Sequence, residues 1–136
     1  MWYDVDVIKK TLTYITEKRN GGGAVSIAAD LIRGHTDTII LAALINGDGY
    51  GYRINRRIYE LTSGRYELKE ATLYTAFKRL EESGCIRSYW GDEATGARRR
   101  YYSITSLGRE EYGRLHKEWN ESKGMIDALV DAVNYV

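Results

Sequence analysis

Between residues 4 and 19 apolar side chains recur at Val5, Ile8, Leu12 and Ile15, in alternating steps of three and four. That spacing predicts one stripe of an amphipathic helix. Asn20-Gly21-Gly22-Gly23 stops it, because glycine loses more conformational entropy in a helix than any other residue. A second helix is predicted over residues 26–45, capped by Ser26 and ended by Asn46-Gly47-Asp48-Gly49. One of its stripes holds Ile27, Leu31, Gly34, Thr38, Leu41 and Ile45. Ile39, Ile40, Ala43 and Leu44 make a second side apolar. A helix with two apolar faces needs two partners.

A third helix is expected over residues 51–62, with Ile54, Ile58 and Leu61 turned inward, and Ser63-Gly64 breaks it. Residues 66–68 read as a short extended piece. The run KEATLYTAFKRLEESG then gives a strong helical signal, with Leu73, Ala76, Phe77 and Leu80 clustered on one side. Gly84 stands where a left-handed residue would end that helix. On its opposite side lie Ala71, Tyr74, Thr75 and Lys78, a short, polar and basic set with one aromatic. Two strands follow, residues 86–90 and 98–104, around turn chemistry at Gly91-Asp92 and Thr95-Gly96. In the returning strand Arg100, Tyr102 and Ile104 share one face, and Arg99, Tyr101 and Ser103 the other.

Thr105 can cap a long last helix whose stripe runs Tyr112, Leu115, Trp119, Ser122, Ile126, Leu129 and Val133, like a heptad seam. Helical over residues 106–133, it would be about 42 Å long at ~1.5 Å per residue. Such an element is too long to pack wholly on one small domain. Trp119 is the seam's largest side chain, yet it sits among Lys117, Glu118, Glu121 and Lys123. A core position, a subunit interface and a ligand platform are its three available roles.

Charge sharpens this reading. The net charge of +1 hides an asymmetry: residues 50–101 hold 11 Lys/Arg against 7 Asp/Glu, while both flanks are mildly acidic. A basic centre raises the prospect of a polyanion partner, nucleic acid above all. The fold class expected is α+β, mainly α: a winged helix-turn-helix at residues 25–105, an N-terminal helical extension at 1–24 and a C-terminal dimerisation helix at 106–136. Ala71, Tyr74, Thr75 and Lys78 would then face the DNA major groove, with Arg98, Arg99 and Arg100 as wing cations near phosphates. The competing account is a solvated helix face and an edge strand protected by charge.

The wording EATLYTAFKRLE, SYWGDE and RRRYYSIT resembles the PadR family of bacterial transcriptional regulators, in particular its small multidrug-sensing subgroup. The resemblance runs from about Leu31 to Val130 and includes Gly51-Tyr52. It implies a homodimeric repressor in which the long C-terminal helix packs on the partner and two wings bind a palindromic double-stranded operator. It also implies a ligand site in which Trp119 stacks flat aromatic compounds at the dimer centre, lined by Leu31, Gly34, Thr38, Leu115 and Lys123. Lys123 stands where the drug-sensing members carry an acidic residue, so flat neutral or anionic aromatics fit better than cations. Gly34 either leaves room opposite Trp119 or permits a close helix–helix contact.

Other chemistry is not indicated. The glycines at 47, 49 and 51 follow a helix rather than a strand and lack a Walker lysine. His35 and His116 have no metal-ligand cluster, no catalytic residues emerge, and no cofactor is expected. Cys85, the single cysteine, excludes an internal disulfide and reads as a small buried side chain. No membrane span or signal-peptide order is apparent, so a cytoplasmic protein is expected. Two alternatives stay open: a DNA-binding regulator without a small-molecule pore, and a protein-interaction module built on the long helix.

Overall fold

In the computed structural model, which describes residues 30–92 and 98–135, the chain runs α1 (Thr36–Leu44), β1 (Gly49–Tyr50), α2 (Gly51–Leu61), α3 (Glu70–Glu82), β2 (Ile86–Trp90), β3 (Arg100–Ile104) and α4 (Ser106–Val130), with a 3-10 turn at Ala132–Tyr135. The expected helix over residues 4–19, the glycine run, the Ser26 cap and the hairpin tip at Thr95-Gly96 lie outside the described residues. The antiparallel sheet has the order β1-β3-β2, with Gly49 opposite Tyr102 and Trp90 opposite Arg100. Mainly helical, with a small antiparallel wing and a long last helix, this is the winged-helix class that the sequence predicts.

One core joins these elements. Ile40, Leu41 and Leu44 of α1 meet Ile54 and Ile58 of α2, Leu73, Ala76, Phe77 and Leu80 of α3, and Ile86 and Tyr102 of the sheet. The four apolar residues expected on the inner side of α3 are all buried there. Gly84 ends that helix at φ +80°, a conformation that side-chain-bearing residues rarely adopt. Thr105 caps α4 by accepting from the Gly108 N–H at 3.1 Å. The first turn of α4 presses so tightly on the sheet that a Cβ at Gly108 would sit 2.1 Å from the Cys85 carbonyl oxygen.

The structure differs from the sequence reading in several places, and β3 begins at Arg100 rather than at the expected residue 98. The helix expected over 26–45 is broken: a helical turn at residues 30–33 and α1 are separated by a turn at Gly34 and His35. The His35 N–H donates to the Ile32 carbonyl at 2.8 Å, three residues back rather than four, and Thr36 Oγ1 takes the Arg33 carbonyl at 2.8 Å. Glycine's weak helix propensity, next to a threonine that bonds its own backbone, accounts for the break.

Next, residues 66–68 do not pair as a strand. The Asn55 side chain holds Leu68 instead, Nδ2 donating to its carbonyl and Oδ1 accepting from its N–H, both at 2.7 Å. The third strand is Gly49–Tyr50, which had read only as a turn. Leu61, expected inside, is 71% exposed, while Tyr59 is buried in its place. Leu61 is the last residue of α2, past the reach of the core. Finally, the α-helix of α4 stops at Val130, giving about 37 Å rather than 42 Å at ~1.5 Å per residue.

The Asn55 clasp fixes the loop that delivers α3, so Asn55→Ala strands two backbone groups at once. It should cost about 2 kcal/mol, read as a lower urea midpoint with an unchanged slope. An unaltered midpoint would show that the clasp is dispensable.

Candidate nucleic-acid interface and aromatic seam

The buried face of α3 dictates what its other face offers. With Leu73, Ala76, Phe77 and Leu80 turned inward, Ala71, Tyr74, Thr75 and Lys78 are all exposed. Tyr74 is 48% exposed and does not project freely. Its ring lies edge-on to Phe77, with centroids 5.8 Å apart, and a Cβ at Gly51 would stand only 3.1 Å from its hydroxyl oxygen. That contact places the start of α2 beside the exposed face of α3, with Tyr52, Arg53 and Arg57 also exposed.

On the flank toward α1, a cleft of about 340 Å³ is lined by Arg33, Thr36, Ala71, Thr72, Thr75 and Arg79. Its cations are both paired. Arg33 meets Asp30 at 2.9 Å, and Arg79 binds Asp37 through two nitrogens, Nε to Oδ2 at 3.2 Å and Nη2 to Oδ1. The hydrogen bonds to Asp37 hold the Arg79 guanidinium even further above its ordinary range. Sequence reasoning missed this pair, which joins residues 42 apart.

The wing is built on stacked rings. Arg98, Arg99 and Arg100 are all exposed, and each guanidinium lies by an aromatic ring. Arg98 and Arg100 each sit 5.6 Å from the Trp90 ring, and Arg99 sits 4.8 Å from that of Tyr50. Tyr101 stacks on Tyr89 at 5.6 Å and meets Tyr50 edge-on at 5.3 Å. The Tyr89 hydroxyl donates to Asp48 Oδ2 at 2.6 Å, and that bond raises its pKa above the usual phenol value. Burial does the same for Tyr102 on the inner face. The aromatic partners of the arginines went unread in the sequence, although strand alternation puts Arg98 and Arg100 on one face.

The residues of the expected ligand site are spread over two elements. Leu31 and Gly34 are exposed on the turn before α1, Thr38 and Leu115 are half-buried, and Lys123 is exposed on α4. Among the described residues a Cβ at Gly34 would meet nothing within 4 Å, so none of them demands glycine there. Trp119, 38% exposed, rests against His35 with ring centroids 4.7 Å apart and planes at 65°. The sequence reading had dismissed His35. His35 belongs to the turn that breaks the expected helix. Beyond Trp119 the helix exposes Met125, Ile126, Leu129 and Val130. Among the described residues no group of three or more His, Cys, Asp or Glu could hold a metal, and no helix is long and apolar enough to cross a membrane.

Residues 40–114 match the profile of the Transcriptional regulator PadR-like family. A protein from Lysinibacillus sphaericus is 44% identical over 107 residues, covering 79% of this chain and 98% of that protein. A solved transcriptional regulator from Clostridium thermocellum is 48% identical with a TM-score of 0.69, over 74% of this chain and 98% of that one. A solved PadR family transcription regulator from Clostridium difficile R20291 is 33% identical with a TM-score of 0.63, over 71% and 98%.

Lys78 is the exposed cation on the outer face of α3. Lys78→Ala should weaken binding of duplex DNA and flatten the fall of log K with log[salt] by about 0.9, the share of one phosphate contact. Fluorescence anisotropy across a salt series measures it, and an unchanged slope would put Lys78 outside the interface.

Proposed function

Because the chain belongs to the Transcriptional regulator PadR-like family, and is therefore a DNA-binding transcriptional regulator and not an enzyme, we propose that it acts in the cytoplasm as a homodimeric repressor released from a palindromic operator by flat aromatic compounds bound at the dimer centre. Residues 25–105 would form the DNA-binding domain and residues 106–136 the dimerisation helix, with residues 1–24 as an extension. Ala71, Tyr74, Thr75 and Lys78 would enter the major groove, where a helix can reach base edges. Arg98 and Arg99 would meet phosphates, and Arg100 would support the same wing.

The observation that carries the dimer is the outer half of α4. Met125, Ile126, Leu129, Val130 and Val133 are exposed in one stretch, Leu129 to 78%. Among the described residues none covers that apolar surface, and a contiguous exposed stripe on a long helix is the usual mark of a protein contact. A second copy supplies the matching stripe by symmetry. Sedimentation should then give a mass twice 15.6 kDa. Leu129→Asp should shift the protein toward monomer, and a wild type that sediments as a monomer at all concentrations would sink the dimer.

The ligand reading rests on Trp119 at the inner end of that stripe, with Leu31, Gly34, Thr38, Leu115 and Lys123 around it as the proposed lining. An aromatic platform with open space beside Gly34 suits a flat ring system, by stacking and burial. The His35 contact favours a second reading, in which the indole is packed as interface core and binds no ligand. Titration with Hoechst 33342 separates the two. Saturable quenching of tryptophan emission that disappears in Trp119→Ala supports the sensor, and no binding of several flat aromatic compounds leaves only the packed interface.

A further inference from the structure

Trp90 ends β2 at the wing and stays 54% exposed. An indole in that position gains little from burial, so its neighbours matter more than its area. It stands directly opposite Arg100 in the β2–β3 register. Arg98 lies two residues from Arg100, just before β3 begins, and reaches the same ring. Both guanidinium carbons sit 5.6 Å from the indole centroid. Two of the three wing arginines therefore share one ring.

Their other contacts set them apart. Arg100 Nη2 donates to Ser88 Oγ at 2.6 Å, and that hydroxyl donates to Glu81 Oε1, also at 2.6 Å. Arg100 itself lies 3.7 Å from Glu81 Oε1. Glu81 belongs to α3, so Arg100 ties the wing face to the helix that presents Ala71, Tyr74, Thr75 and Lys78. Satisfied by a carboxylate and a hydroxyl, Arg100 would have to break that network to reach DNA. Arg98 stands two residues farther out along the wing, and a guanidinium 5.6 Å from a ring centroid spends no N–H on a carboxylate there. The N–H groups in its plane stay available to grip a phosphate.

We infer that Trp90 is a positioning residue for DNA binding: it holds Arg98 ready for a phosphate, while Arg100 anchors that platform to α3 through Ser88 and Glu81. The inference rests on the DNA-binding reading above. Its physical basis is preorganisation. An arginine already ordered on a ring loses less freedom when it binds, so the contact made beforehand appears as affinity.

A double-mutant cycle tests it, using a fluorescein-labelled duplex from the DNA upstream of the protein's own coding sequence, at several salt concentrations, with circular dichroism to verify folding. Trp90→Ala should weaken binding by roughly two- to fivefold, the range that an exposed cation–π contact supplies. Its salt slope should stay near the wild-type value, because Arg98 still reaches the phosphate, whereas Arg98→Ala should lower the slope by about 0.9. Combining the two changes should weaken binding little beyond Arg98→Ala alone, the non-additivity expected of coupled residues. Trp90→Phe, which keeps a ring, should restore most of the loss. Additive losses, or a Trp90→Phe variant as weak as Trp90→Ala, would overturn the positioning role. A wild-type protein that leaves the duplex unbound even at low salt would instead defeat the underlying DNA-binding reading, so the two failures are distinguishable.

Discussion

Phe77 stacks on Tyr102 with ring centroids 3.9 Å apart and planes at 19°, and the placing of every residue that could meet DNA follows from that contact. Phe77 belongs to α3 and Tyr102 to the central strand of the sheet, and both are buried. An aromatic pair of this kind adds about 0.5–1.5 kcal/mol beyond the area that it buries. Its larger consequence is geometric. With Phe77 fixed inward, the 3.6-residue period leaves Ala71, Tyr74, Thr75 and Lys78 outside. With Tyr102 fixed inward, the two-residue period of β3 sends Tyr101 and Arg99 to the far face. One stack thus sets both the roll of α3 and the faces of the wing.

Where the chain repeats regularly, the sequence revealed it. The inner stripe of α3, the hairpin strands, the Thr105 cap and the long α4 all rest on a period or a local hydrogen bond, and all are found. What escaped notice depends on contacts between distant residues. Gly49–Tyr50 is too short to show alternation, and it is a strand only because Tyr101 and Tyr102 lie beside it. Asn55 holds Leu68 across 13 positions, and Arg79 holds Asp37 across 42. Leu61 keeps the helical period of Ile54 and Ile58 but falls past the edge of the core, where period no longer means burial. At the candidate site the same division holds. The outward set of α3 was legible from its periodicity, whereas the rings under Arg98, Arg99 and Arg100 and the His35 edge on Trp119 needed the fold to bring them together.

The arginine run shows why composition alone misjudges a wing. Three adjacent cations read as three equal phosphate contacts, yet alternation sends Arg99 toward Tyr50 while Arg98 and Arg100 share Trp90. Arg100 is further drawn into Ser88 and Glu81. A charge that already has a partner contributes less to a polyanion than a count implies, because it must first give that partner up. The aromatic rings and the short β1 also add packing to the β2–β3 hairpin, a unit that is marginal in water by itself.

The break at Gly34 and His35 bears on how the two ends of the molecule could communicate. His35 touches Trp119 and is also the residue from which α1 starts. Asp37, in the first turn of α1, holds Arg79 of α3. Farther along, Arg109 of α4 donates to the Ile45 carbonyl at the other end of α1, at 3.2 Å. Helix α1 is therefore pinned to α4 at both ends and to α3 near its start. A ligand seated against Trp119 would have to move the His35 ring or accept it as one wall. Were the N-terminal end of α1 to shift with that ring, the Asp37–Arg79 pair would meet α3 at an altered angle. That ion pair is half-exposed and worth at most about 1 kcal/mol, so it acts as a guide for α3 more than as a clamp. Coupling between ligand and operator must be reciprocal in any such arrangement. The size of the coupling then depends on how differently α1 sits in the bound and free states, not on the strength of any single link along it.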